Sequence, residues 1–117
     1  MIFNYEQYKV FLACGKTDMR KSINGLCELV QYRFILDPRE KIVFVFCNQQ
    51  RNRIKILVWE DNGFWVHFKR LEKGHFKWPL LGESSTLDLK FTELLNLLES
   101  TKLEQKLRQK QVIERKI

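Results

Sequence analysis

The period of apolar and polar positions changes several times along this chain. In the stretch from Thr17 to Phe34, Met19, Ile23, Leu26, Val30 and Phe34 recur at intervals of three and four, the spacing that places side chains on one face of an α-helix. Thr17 is positioned to cap the start of that helix, and Asp18 suits its first turn through the helix dipole. Gly25 interrupts the pattern at a cost of about 1 kcal/mol against alanine, which predicts that another backbone approaches there. Asp37-Pro38 ends it, because proline disfavours helical geometry in the residue before it. Ahead of the helix, residues 8–13 (YKVFLA) have the β-branched and aromatic composition of a strand.

After Pro38 the pattern shortens to strand period. KIVFVFC (41–47), IKILVWE (54–60) and FWVHFKRL (64–71) are three strand-like runs joined by NQQRNR and by Asp61-Asn62-Gly63. Asn-Gly is a strong tight-hairpin signal, since both central residues of that turn type take positive φ. Gly74 and Pro79 close this section, and HFKW (75–78) has the composition of a further short strand. Residues 88–100 return to helical spacing, with Leu94, Leu95, Leu97 and Leu98 forming an apolar stripe. The order strand, helix, three-strand meander, helix predicts an α+β fold with a mainly antiparallel sheet and helices packed on it. Residues 1–100 read as a single domain. Residues 101–117 read as a charged tail, helical by propensity and frayed at its end.

Composition adds constraints. At 117 residues, with 44% apolar and 30% charged residues, the chain has the balance of one soluble globular domain. Cys14, Cys27 and Cys47 are odd in number and widely spaced, and His67 and His75 are not at zinc-finger spacing. They read as three reduced, mostly buried thiols in a cytoplasmic protein with no metal and no cofactor. No signal peptide is visible, and no apolar run approaches the roughly 18 residues of a membrane helix. The net charge of +7 predicts attraction to polyanions.

Gly15-Lys16-Thr17 ends like a phosphate-binding loop, but that loop requires a glycine at position 10, where Val10 stands. Phe11, Leu12 and Ala13 read as strand, and a strand cannot turn successive N–H groups around phosphates. Nucleotide hydrolysis is therefore not expected. Two readings of the basic stretch remain: a helix start that holds a single DNA phosphate with Lys16, Arg20 and Lys21, or a capped helix with a solvated basic first turn.

The same stretch carries a family resemblance. Cys14-Gly15, Thr17-Asp18-Met19-Arg20-Lys21 and Gly25-Leu26 are similar to the opening motif of the TnpB accessory proteins, which are encoded by the second reading frame of bacterial insertion sequences of the IS66 type. The likeness continues through Asp37-Pro38, Phe44-Val45-Phe46, Arg51, Arg53, Lys55, Leu57, Trp59 and KRLEKGHFKWP (69–79), and runs in register over about residues 8–99. The resemblance implies an accessory role in transposition beside a separately encoded transposase, with the transposase and another element-encoded accessory protein as partners. Lys16, Lys41, Phe91 and Ser100 depart from the family's pattern. At Phe91 the family has a helix-starting proline and at Ser100 a glycine that often ends the last helix, so that helix is expected to start earlier and run longer.

No catalytic constellation is recognisable. Asp18, Asp37, Glu60, Asp61 and Asp88 lack the neighbouring motifs of a metal-dependent nuclease, and no Ser-His-Asp or Cys-His arrangement stands out. A non-enzymatic role is expected. Charge is concentrated instead: residues 41–77 hold eight Lys or Arg and three acids. The hairpin at 61–63 makes these strands neighbours, so Ile54, Ile56 and Val58 are expected to share an apolar face with Phe64, Val66 and Phe68, and the other face to combine Lys55, Trp59, Trp65, His67 and Lys69. Such a face suits nucleic acid, rings stacking on bases and cations meeting phosphates. The alternative is a helix covering that face, with lysine stems lying over the tryptophans. The candidate nucleic-acid-binding residues are Arg51, Arg53, Lys55, Trp65, His67, Lys69, Arg70, Lys73, Lys16, Arg20 and Lys21. The function expected from these is a non-catalytic transposition factor contacting transposon-end DNA, the transposase, or both. A pure protein–protein adaptor is the alternative.

Overall fold

The computed structural model describes residues 5–79 and 86–99. β1 (Lys9–Lys16) leads through a loop to α1 (Ile23–Glu28), which continues into a π-helical turn, Leu29–Arg33. β2 (Ile42–Cys47), β3 (Arg53–Glu60) and β4 (Gly63–Arg70) follow as a meander, and β5 (Thr86–Leu89) precedes α2 (Phe91–Glu99). The sheet order is β4-β3-β2-β1-β5. β1 and β2 are parallel neighbours and every other pairing is antiparallel. The α+β class and the mainly antiparallel sheet expected from the sequence are both present.

β2 lies at the centre, and all six of its residues are buried. That is why it reads as an unbroken apolar run: both faces of the sheet are covered there. One face joins Val10, Leu12, Val43, Val45, Ile54, Ile56 and Val58 to Tyr5, Phe76, Trp78, Leu94 and Leu98. The other joins Ala13, Ile42, Phe44, Phe46 and Leu57 to Leu26 and Val30. Trp78 is pinned by its indole N–H, which donates to the carbonyl of Ala13 at 3.1 Å.

Several local expectations change. The first helix starts at Ile23 after Ser22, not near Thr17, because Thr17, the residue after β1, stays tied to the end of β2: its N–H donates to the Cys47 carbonyl at 2.8 Å. Thr17 therefore caps nothing, and the helix-start phosphate site does not exist in that form. A β-carbon at Gly25 would meet the Cβ and Cγ of Lys21 at 3.1 Å, so a lysine stem approaches it rather than another backbone. Asp88 and Leu89 belong to β5, not to the last helix. That helix begins at Phe91 and no earlier, since the carboxylate of Glu93 accepts the backbone N–H of Lys90 at 2.9 Å and fixes its start. The expected tail, and the extension of the helix past Ser100, lie outside the described residues.

Candidate nucleic-acid interface

The β3–β4 hairpin turns on Asp61 and Asn62, with Glu60 opposite Gly63. Asp61 takes φ 55°, and Gly63 is already part of β4. Aspartate tolerates this left-handed geometry better than most residues. The turn therefore holds one residue fewer than the Asp61-Asn62-Gly63 linker, and one residue moves every side chain of a strand to the other face. Ile54 pairs with Lys69, Ile56 with His67 and Val58 with Trp65; Lys55 pairs with Phe68, Leu57 with Val66 and Trp59 with Phe64. Residues directly opposite share a face. The expected combination of Lys55 and Trp59 with Trp65, His67 and Lys69 is thus corrected: the first two lie on the α1 side of the sheet and the other three on the α2 side.

The two lysines also have structural partners. Lys55 Nζ donates to the carbonyls of Met19 at 2.8 Å and Lys21 at 2.7 Å, tying the loop before α1 to β3. The Phe68 ring lies 5.7 Å from that ammonium. Lys69 Nζ donates at 2.8 Å to the carbonyl of Leu98 in the last turn of α2, where backbone acceptors lack helical partners. His67 Nε2 lies 3.2 Å from the Tyr5 hydroxyl, and its ring stacks on Trp65 with centroids 6.0 Å apart. Burial lowers the His67 pKa from its ordinary value, against the opposing influence of Glu60. The Trp65 indole N–H donates to Glu60 at 3.2 Å.

The remaining candidates divide. Arg20 folds back on Asp18, donating from Nε and Nη2 at 3.0 and 2.7 Å to one carboxylate oxygen. These bonds hold the Asp18 carboxyl down at about 2. Arg70 pairs with Glu72 at 3.0 Å, and Lys73 is exposed in the following loop. Arg51, at φ 59°, sits in the β2–β3 turn, and its carbonyl accepts the Phe76 N–H. Lys16, Lys21 and Arg53 come together.

They do so in a recess of about 500 Å³ at the carboxyl ends of β1 and β2. Arg33, on the π-helical turn, is the fourth cation on its wall, with Asp18, Met19 and Leu29 beside it. Thr17, Asn48, Gln49 and Gln50 supply polar groups. Asn48, 7% exposed, organises this end of the sheet. Its Oδ1 accepts the N–H groups of Asn52 and Arg53, each at 3.0 Å, and its Nδ2 donates to Gln50 and Asn52. Open α/β sheets place ligand crevices outside the carboxyl ends of their parallel strands, and β1 and β2 are the parallel pair here. Thr17, Arg33, Asn48, Gln49 and Gln50 were not among the sequence candidates. The order strand–helix–strand was the available signal, since that crossover is how parallel neighbours are joined. Among the described residues, no group of three or more His, Cys, Asp or Glu is placed to hold a metal ion, and no helix is long and apolar enough to cross a membrane.

A family model described as IS66 Orf2 like protein matches residues 8–108. The chain belongs to the IS66 Orf2-like family. That family implies an accessory role in insertion-sequence transposition. Two proteins of Sinorhizobium fredii (strain NBRC 101917 / NGR234) are similar to it. The uncharacterized protein y4hO is 32% identical over 79 residues, covering 68% of this chain and 69% of its own length. The uncharacterized protein y4jC is 31% identical over 71 residues, covering 61% of each; the chain thus spans about three fifths of the second relative. No solved structure matches significantly. Of the residues that carry the resemblance to the IS66 Orf2-like family, Thr17, Asp18, Met19, Lys21 and Arg53 all line the recess.

Proposed function

We propose that this protein is a non-catalytic accessory factor of transposition that contacts transposon DNA through the basic recess, with Arg51, Arg70 and Lys73 as neighbouring cations. The observation that carries the reading is the convergence of Lys16, Lys21, Arg33 and Arg53 on one concave surface. Among the described residues, none of these four makes an ion pair; the two ion pairs present are Arg20–Asp18 and Arg70–Glu72. Arg53 also lies directly opposite Arg70, whose guanidinium is already paired with Glu72. Phosphate contacts of this kind position a protein on DNA without specifying sequence.

The test is an anisotropy titration of transposon-end DNA across salt concentrations. Each neutralised phosphate contributes about −0.9 to the log–log salt slope, so three or four cations give a slope of roughly −3. Absence of binding at low salt overturns the reading. A second reading has its own support: Phe68 is 52% exposed on β4 at the edge of the sheet, with Trp65, 45% exposed, on the opposite face of the same strand, and an exposed aromatic at a sheet edge suits docking on the transposase or the sister accessory protein. Co-purification with either in nuclease-treated extract, abolished by Phe68→Ser, separates this reading from the first.

A further inference from the structure

We propose that the recess seats one unpaired nucleotide of a DNA strand, its phosphate taken by the Thr17 hydroxyl and the surrounding cations. This rests on the proposed DNA contact and narrows it. The two buried polar side chains of the recess differ sharply. Asn48 is saturated, its oxygen accepting two backbone N–H groups and its nitrogen donating to Gln50 and Asn52. Thr17 is 6% exposed and lines the same recess, yet its hydroxyl makes no hydrogen bond among the described residues; its backbone N–H is already committed to Cys47. A buried hydroxyl left without a partner costs about 1–3 kcal/mol, and such groups in native proteins ask for an explanation.

The surroundings state which partner fits. Lys16, Lys21, Arg33 and Arg53 favour an anion. Asp18 also borders the recess, but Arg20 occupies its carboxylate through three side-chain contacts of 2.7 to 3.1 Å, which offsets its charge. The volume of about 500 Å³ exceeds what a lone phosphate fills and falls in the range of small-molecule sites. The Gln49 and Gln50 amides offer donors and acceptors to a base edge, while half-buried Met19 and Leu29 offer an apolar wall to its face. A base stacked within a duplex cannot enter a recess. An overhanging or unpaired one enters at small unstacking cost.

The experiment compares a blunt duplex with the same duplex bearing a three-nucleotide single-stranded extension, using the full chain and its Thr17→Val and Thr17→Ser variants. The wild type is expected to bind the extended DNA about tenfold more tightly, the value of one hydrogen bond to a charged acceptor. Thr17→Val erases this preference, and Thr17→Ser retains it. The valine variant keeps or raises the unfolding midpoint, because no protein partner is lost. Equal binding of the two DNAs by the wild type, or a preference that survives in Thr17→Val, overturns this inference alone. Failure to bind either DNA overturns the DNA reading and this inference with it. Competition by free deoxynucleoside monophosphate at the same concentration of nucleotide removes the strand from the proposal and leaves a free-nucleotide site.

Discussion

The β3–β4 hairpin and the recess beside β1 and β2 draw on the same residue types and use them differently. On the hairpin, Lys55 and Lys69 are within 2.8 Å of backbone carbonyls, and they hold the α1 loop and the end of α2 against the sheet. In the recess, Lys16, Lys21, Arg33 and Arg53 meet around a polar floor and make no ion pair among the described residues. A cation that satisfies two carbonyls has exchanged its water for protein acceptors and has little left to offer a phosphate. Charge density along a strand therefore measures attraction to polyanions only after the carbonyls have taken their share.

The largest expected effect breaks the recess itself. Asn48→Ala removes the acceptor of two backbone N–H groups and the donor to two neighbouring side chains in a buried position. It is expected to cost about 2–4 kcal/mol of stability by urea denaturation, the range for a lost buried network. Because the same side chain shapes the recess floor, DNA affinity falls with it even in conditions where the variant is folded. A loss below 0.5 kcal/mol would show that the β2–β3 turn holds its shape without Asn48.

A matched pair of substitutions, smaller in effect, tests the comparison directly. Lys55→Met keeps an apolar stem over the sheet but abandons the Met19 and Lys21 carbonyls, for an expected stability loss of about 1–3 kcal/mol with an unchanged salt slope of DNA binding, since Lys55 itself meets no phosphate. Arg53→Met is expected to do the reverse: stability within about 0.5 kcal/mol of the wild type and a salt slope shallower by about 1. If Lys55→Met flattens the salt slope as much as Arg53→Met does, the division between structural and available cations is wrong.

How far these regions were legible in the sequence follows from what each depends on. β2 was readable because burial on both faces leaves a continuous apolar run, Ile42 to Cys47. The hairpin was readable as a hairpin, but its faces were not. Those hinge on whether the turn holds two residues or three, and Asp61-Asn62-Gly63 contains turn formers at every position. β5 was hidden because Leu87 and Leu89 merge with the leucine spacing of α2, so one apolar pattern covers both elements. The recess was least legible. Thr17 and Asn48 are 31 positions apart and meet only because β1 and β2 run parallel, Lys16 beside Cys47. The family resemblance pointed to residues 17–21 and to Arg53 without indicating that they share a wall.

The smallest effect, and the one that most finely separates the regions, is the response to acid. His67 stands on the α2 side of β4 between Trp65 and Tyr5, with Glu60 nearby, and burial lowers its pKa from the ordinary 6.5. In the unfolded chain the same imidazole takes up its proton near that ordinary value. Between the two values the unfolded state binds more protons than the folded state, so stability falls as pH drops below about 6.5 and is flat with respect to this group above it. The recess behaves differently over that window, since Asp18 keeps its charge down to about pH 2. Urea denaturation between pH 7 and pH 5 is expected to show falling stability in the wild type and a shallower fall in His67→Gln, while DNA affinity per folded molecule varies little with the titration of either group. An unchanged slope in His67→Gln would move the acid response elsewhere in the molecule. A slope that weakens together with DNA affinity would mean that the hairpin and the recess are coupled through β3, whose Arg53 borders the recess and whose Ile56 lies opposite His67.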